Sequence, residues 1–221
     1  MLQGYFRTGP GEYGEGDVFL GVRMPDVRAV AKAHRDLPLP ALASLLRSKH
    51  HEDRLLAVVV LADRAARAEP AERDRLARFY LRHLDRVNNW DLVDSSAPQV
   101  LGPYFLKRSR APPPQRPAAG EAVQRRVAIL TTQHFLRKGE VAETLRLAKV
   151  LLHDKHDLIH KAVGWMLREA GQREPAALRQ FLQAHAHEMP RTMLRYSLER
   201  LPAAERARWM GRNDRRPVPR T

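Results

Sequence analysis

The chain has 221 residues, 43% hydrophobic and 29% charged, no cysteine, and a formal net charge of +14. That length and balance suit one soluble domain able to bury its own core. The missing thiols exclude a disulfide framework, a thiolate metal site and a cysteine nucleophile.

No basic-then-apolar leader and no apolar run near ~18 residues is present, so the expectation is a cytoplasmic protein with no membrane association. From Arg206 onward six arginines face Asp214 alone, which leaves +9 on the remainder. A basic body, not only a basic tail, points to a polyanionic partner, nucleic acid ahead of a membrane surface. Residues 1–211 read as a single domain and 212–221 as a basic, disordered tail.

The opening run Tyr5-Phe6-Arg7-Thr8-Gly9-Pro10-Gly11-Glu12-Tyr13-Gly14-Glu15-Gly16-Asp17 contains a G-x-G-x-x-G match at Gly9, Gly11 and Gly14. No strand precedes it, Pro10 interrupts it, and Glu12, Glu15 and Asp17 repel a phosphate where backbone donors would cradle one. It reads as a loop folded back over the first helices.

From Met24 onward amphipathic helices are predicted over Asp26 to Arg35, Ala41 to Arg47, Asp53 to Ala68, Ala71 to Leu84 and Trp90 to Val100. After a Pro-rich loop, Ala111 to Gly120, they continue over Glu121 to Arg137, Val141 to Leu152, Leu158 to Ala170, Ala176 to Ala186, Arg191 to Arg200 and Ala203 to Met210. Period-two alternation is nowhere sustained, and the fold class is all-α.

A repeat underlies these helices. Arg54, Trp90, Arg126, Lys161 and Arg195 each lead a comparable apolar helix, at spacings of 36, 36, 35 and 34 residues. Periods of this order mark stacked helix pairs in which one helix of each pair lines a concave surface. The leading residue is a cation except at Trp90, so the register predicts a basic stripe including Arg54, Arg126 and Lys161. Four residues on, the same row reads Val58, Asp94, Leu130, Trp165 and Glu199.

Within Asn88-Asn89-Trp90-Asp91-Leu92-Val93-Asp94 an asparagine can cap a helix, and Trp90 and Asp94 then share one flank. An aromatic face beside a carboxylate suits a cationic group. A buried tryptophan beside a structural ion pair fits the same residues, and the stretch alone does not choose between them. His156-Asp157-Leu158-Ile159-His160 imitates H-E-x-x-H, with His153 nearby. The shorter Asp, the position at a helix start and the want of a third ligand speak against a metal site.

Taken together, Tyr5 to Gly9, Phe19-Leu20-Gly21, Trp90 to Asp94, Arg125 to Leu130 and Lys161 to Glu169 resemble the AlkD family of bacterial DNA alkylation-repair glycosylases. The resemblance implies a right-handed-type α-solenoid of HEAT-like repeats with a concave basic face. It implies a monomeric, nucleoid-associated enzyme that binds double-stranded DNA containing alkylated purines. Such an enzyme hydrolyses the N-glycosidic bond of cationic N7- and N3-alkylpurines without base flipping and needs no cofactor or metal. Asp94 becomes the catalytic carboxylate, Trp90 and Trp165 the aromatic walls against the deoxyribose, Arg126 a clamp on the DNA backbone, and Tyr5 a further pocket residue.

The chain departs from the family's pattern in having almost nothing ahead of Tyr5, so an incomplete first repeat is expected. The competing reading is a non-catalytic helical-repeat module that binds DNA shape or a protein. It would show a basic groove without the acid and aromatic pair.

Overall fold

The structure, a computed structural model, describes residues 6, 8–10, 12, 14–106 and 121–213, the side chains of 121, 212 and 213 excepted. Tyr5, the Pro-rich loop and the tail from residue 214 lie outside the described residues. Among those described, all regular structure is helical, and a lone parallel bridge joins Val18 to His50. No helix of the described residues is long and apolar enough to cross a membrane.

The chain folds as two compact units, Met1–Val127 and Ala128–Thr221. In the first, α1 (Met24–Ala33), α2 (Leu39–Leu46), α3 (His51–Arg67) and α4 (Pro70–Arg82) lead through a 3-10 turn at Leu84–Arg86. Three short helices follow: α5 (Trp90–Asp94), α6 (Ala97–Val100) and α7 (Gly102–Leu106). Prolines sit at the first or second position of α1, α2 and α4, where the missing N–H costs no helical bond.

Helix α3 is the centre of this unit and packs against α1, α2, α4, α5 and α6. Its Leu55, Ala57, Val58, Val60, Leu61, Ala62 and Ala65 are all buried. This wide apolar surface is what a helix enclosed by neighbours requires. Each enclosed leucine or valine contributes ~1.5–3 kcal/mol. Ala57 and Ala65 let neighbouring helices approach closely.

Helix α8 (Glu121–Arg137) starts in the first unit and runs into the second. The second unit continues with α9 (Ala142–Val150), α10 (Asp157–Arg173), α11 (Pro175–His185), α12 (Arg191–Leu198) and α13 (Ala203–Asn213). Its centre is α10, packed on α9, α11 and above all α12. Gly164 makes that last contact possible. A Cβ there would lie 2.5 Å from both the Met193 carbonyl oxygen and the Tyr196 Cβ.

One expected helix is broken. The stretch Trp90 to Val100 divides into α5 and α6 at Ser95 and Ser96. Pro98 has no N–H to give the Asp94 carbonyl, and its ring occupies the space of that carbonyl. Ser96 completes the turn by donating its hydroxyl to the Leu92 carbonyl at 2.6 Å, while Tyr80 lies 2.9 Å from the same hydroxyl oxygen. Asp94 is consequently the last residue of a short helix.

Candidate active site

Helix α5 begins where Asn89, in extended conformation, turns its side-chain oxygen onto the Trp90 N–H at 2.8 Å. Five residues later the proline-imposed break ends it. Trp90 and Asp94 emerge at its two ends, and both line a cavity of about 310 Å3. Phe6, Phe19, Val22, Met24 and Leu55 form the apolar part of the wall, with Asp91, Glu52, His51 and Arg23 among its polar members. Phe6 stacks on Trp90 with ring centroids 5.6 Å apart and on Phe19 at 4.8 Å.

Asp94 is bound by Arg126 of α8. Nε donates to Oδ1 at 2.8 Å and Nη2 to Oδ2 at 2.7 Å, with the Asp94 side chain 17% exposed. Burial pushes the Asp94 carboxyl above its ordinary range. The hydrogen bonds and charge of Arg126 pull it back, and Asp91 adds repulsion. A carboxylate offers about four lone-pair directions, so two remain after the Arg126 fork is bound. The group is fixed in place and still able to stabilise positive charge.

The segment bearing Phe19 is held by charges that local sequence patterns do not reveal. Asp17 is buried and accepts from Arg54 Nη2 at 2.5 Å, Asn88 at 2.8 Å and Asn89 at 2.9 Å. His51, the first residue of α3, places Nε2 2.7 Å from Asp91 and Nδ1 3.4 Å from Asp17, and stacks on Phe19. Glu52 accepts from the Leu20 and Gly21 amides at 2.9 and 2.8 Å. Gly21 takes φ +87°, a left-handed conformation natural to glycine. Of the opening segment, Phe6 lines the cavity and Asp17 packs against the start of α3, and Phe19 and Val22 just beyond complete that wall.

Burial works against the Asp17 carboxylate, but hydrogen bonds from His51, Asn89 and Asn88 and the Arg54 charge hold it at about 2. Burial likewise works against the His51 cation, and the bonds to Asp17 and Asp91 outweigh it, raising the imidazole to about 9. Asp17, His51, Glu52 and Asp91 were the members of this site that sequence reasoning missed. The available signal was the polar pair His51-Glu52 at the start of a helix whose following turns are buried.

The structure thus brings Trp90, Asp94 and Arg126 together in the first unit. Arg54 is placed otherwise than a surface stripe expects: its side chain is 7% exposed, paired with Asp17 and bonded to the Ser48 carbonyl. Trp165 and Lys161 stand on α10 in the second unit. Trp165 donates its indole N–H to Glu169 at 3.2 Å, and Lys161, 38% exposed, pairs with Asp157 at 2.6 Å.

The histidines of the H-D-x-x-H stretch and the nearby His153 have partners of their own. His156 accepts from the Leu158 N–H to cap α10, His160 contacts the Asp154 carbonyl at 2.5 Å, and His153 lies 3.6 Å from Glu188. Among the described residues no group of three or more His, Asp or Glu is arranged to hold a metal.

A family model described as DNA alkylation repair enzyme matches residues 1–201. Among solved structures, a predicted DNA alkylation repair enzyme from Enterococcus faecalis superposes with a TM-score of 0.64 at 17% identity, covering 86% of this chain and 92% of that one. At that identity the likeness is one of fold. No curated protein matches the sequence.

Proposed function

The chain belongs to the DNA alkylation repair enzyme family, and we propose that it is a monofunctional DNA glycosylase acting on cationic N7- and N3-alkylpurines in duplex DNA. The observation that carries this reading is the Asp94 carboxylate, fixed by Arg126 beside Trp90 on the wall of an aromatic cavity. An alkylated purine is already cationic, so its bond to C1′ can break with the electron pair leaving on the base. Positive charge then develops on the sugar.

Asp94 stabilises that charge through its remaining lone pairs, and the Trp90 ring offers it a π face. Water adds its oxygen to C1′, and the released proton passes to Asp94 or solvent. The products are a neutral free base and an abasic site. No lysine lines the cavity among the described residues, which supports hydrolysis over a Schiff-base lyase reaction. The lesion is addressed from its sugar side, without base flipping. For Trp165 the reading assigns an aromatic contact with the substrate, on the family resemblance alone.

The test is single-turnover release of 7-methylguanine from methylated duplex DNA with enzyme in excess. Asp94→Asn keeps shape and hydrogen-bonding capacity but removes the charge, so release is expected to slow by about a hundredfold or more while duplex binding survives. Release at the wild-type rate would sink the catalytic reading. Joint collapse of rate and binding would make Asp94 part of the DNA grip and favour a non-catalytic binding module.

A further inference from the structure

We infer that His51 is a positioning residue for Asp94: clamped as an imidazolium between Asp17 and Asp91, it cancels the Asp91 charge that otherwise repels the Asp94 carboxylate. This inference rests on the reading of Asp94 as the reacting carboxylate.

The geometry defines the charge state. The His51 ring is 1% exposed, with Nε2 2.7 Å from Asp91 Oδ2 and Nδ1 3.4 Å from Asp17 Oδ2. Ionised carboxylates only accept hydrogen bonds, so both ring nitrogens carry protons and the ring is a cation. Phe19 stacks on it at 4.6 Å and Phe6 tilts over it at 5.1 Å, an environment of π faces in place of water. The raised affinity of His51 for its proton agrees with this arrangement.

Charges then balance in two adjoining sets. Asp17 and Asp91 face Arg54 and His51, while Asp94 faces Arg126. Asp91 precedes Asp94 on α5 and shares its cavity wall, and its charge disfavours ionisation of Asp94. Of the other charged groups on that wall, Glu52 accepts from the Leu20 and Gly21 amides, and Arg23 lies 3.6 Å from Asp26. Loss of the His51 charge leaves Asp91 uncompensated close to the reacting carboxylate. His51 acts through Asp91 and has no contact of its own with Asp94 to lose.

The experiment compares wild type, His51→Gln, Asp91→Asn and the double variant, with folding checked by circular dichroism. The Asp94 carboxyl carbon is followed by NMR against pH in the free protein, beside the pH profile of 7-methylguanine release. His51→Gln should raise the Asp94 midpoint and the acid limb of the rate profile together, by about half a unit or more. Asp91→Asn should lower both, and adding it to His51→Gln should reverse the rise, because no charge remains to be cancelled.

An unmoved Asp94 midpoint in His51→Gln, or a double variant as high as the single, overturns the proposal. Should His51→Gln fail to fold, the ring nitrogen shifts of wild-type His51 decide: two protonated nitrogens at neutral pH uphold the proposal, and a neutral ring overturns it. Should wild type release no base at all, the glycosylase reading fails while the carboxyl titration still judges His51.

Discussion

Arg126 meets Asp94 fork to carboxylate, two parallel hydrogen bonds of 2.8 and 2.7 Å joining α8 to the end of α5. A bidentate pair fixes the carboxylate plane as well as its position. This geometry makes Arg126 an orienting group for Asp94 in the free protein, whatever it contacts on DNA.

Removing Arg126 should therefore cost stability as well as activity. Arg126→Met strands a largely buried carboxylate, and breaking such a pair typically costs ~3–5 kcal/mol. Some of the Asp94 side chain reaches solvent, so the lower end is expected. Arg126→Lys keeps the charge and loses the fork. Denaturant midpoints for the two single variants and Arg126→Met with Asp94→Asn form a double-mutant cycle. Strong coupling is expected, and simple additivity would mean that the pair does not act as a unit.

The Asp17 and His51 clip gives stability a defined pH window. Asp17 is lowered from 3.8 to about 2, so its contribution is complete above 3.8 and lost as pH falls through about 2. His51 is raised from 6.5 to about 9, so its contribution is complete below 6.5 and lost as pH rises through about 9. Both act in full between roughly pH 4 and 6.5. Thermal midpoints should decline from neutral pH toward pH 9, and His51→Gln should flatten that decline. An equally steep decline in the variant would place its cause elsewhere.

Helices were legible in the sequence because apolar residues recur at the helical period and proline and glycine mark the boundaries. The Trp90 and Asp94 pair was legible because both lie within one helical turn. The clip was not, since His51 and Asn89 lie 34 and 72 residues from Asp17 and no local pattern encodes contacts at that range. Arg54 shows the same limit from the other side. Repeat register gave it the phase of Arg126 and Lys161, but phase does not reveal what covers a helix start. Here the segment around Asp17 and Val18 covers it, with the Val18 carbonyl accepting from the His51 N–H at 2.8 Å.

Gly164 should be intolerant of even one methyl group. The atoms that an added Cβ would meet belong to the α12 backbone and the root of the Tyr196 side chain, neither of which can rotate aside. Overpacking of this kind costs ~1–3 kcal/mol, against which alanine returns up to ~1 kcal/mol of helix preference. Gly164→Ala should lower the thermal midpoint. Gly211→Ala in α13 meets nothing within 4 Å and should leave that midpoint unchanged or raise it. Equal effects at the two glycines would contradict close packing of α10 on α12.

The proposed DNA grip separates cations that the repeat register treats alike. Lys161 is partly exposed and held by a surface pair with Asp157, and such a pair is worth under ~1 kcal/mol and yields readily to a phosphate. Arg54 is buried against Asp17 and the Ser48 carbonyl, and withdrawing it would take a charge-paired hydrogen bond from the buried Asp17 carboxylate. Binding to undamaged duplex should weaken steeply with salt, since each phosphate contact releases about one counterion. Lys161→Met should reduce the log-log slope by about one. Arg54→Met, measured where it remains folded, should lose stability and keep the wild-type slope. A flat salt dependence in the wild type would count against a phosphate-tracking surface altogether, and a slope lowered by Arg54→Met would mean that the Asp17 pair opens when DNA binds.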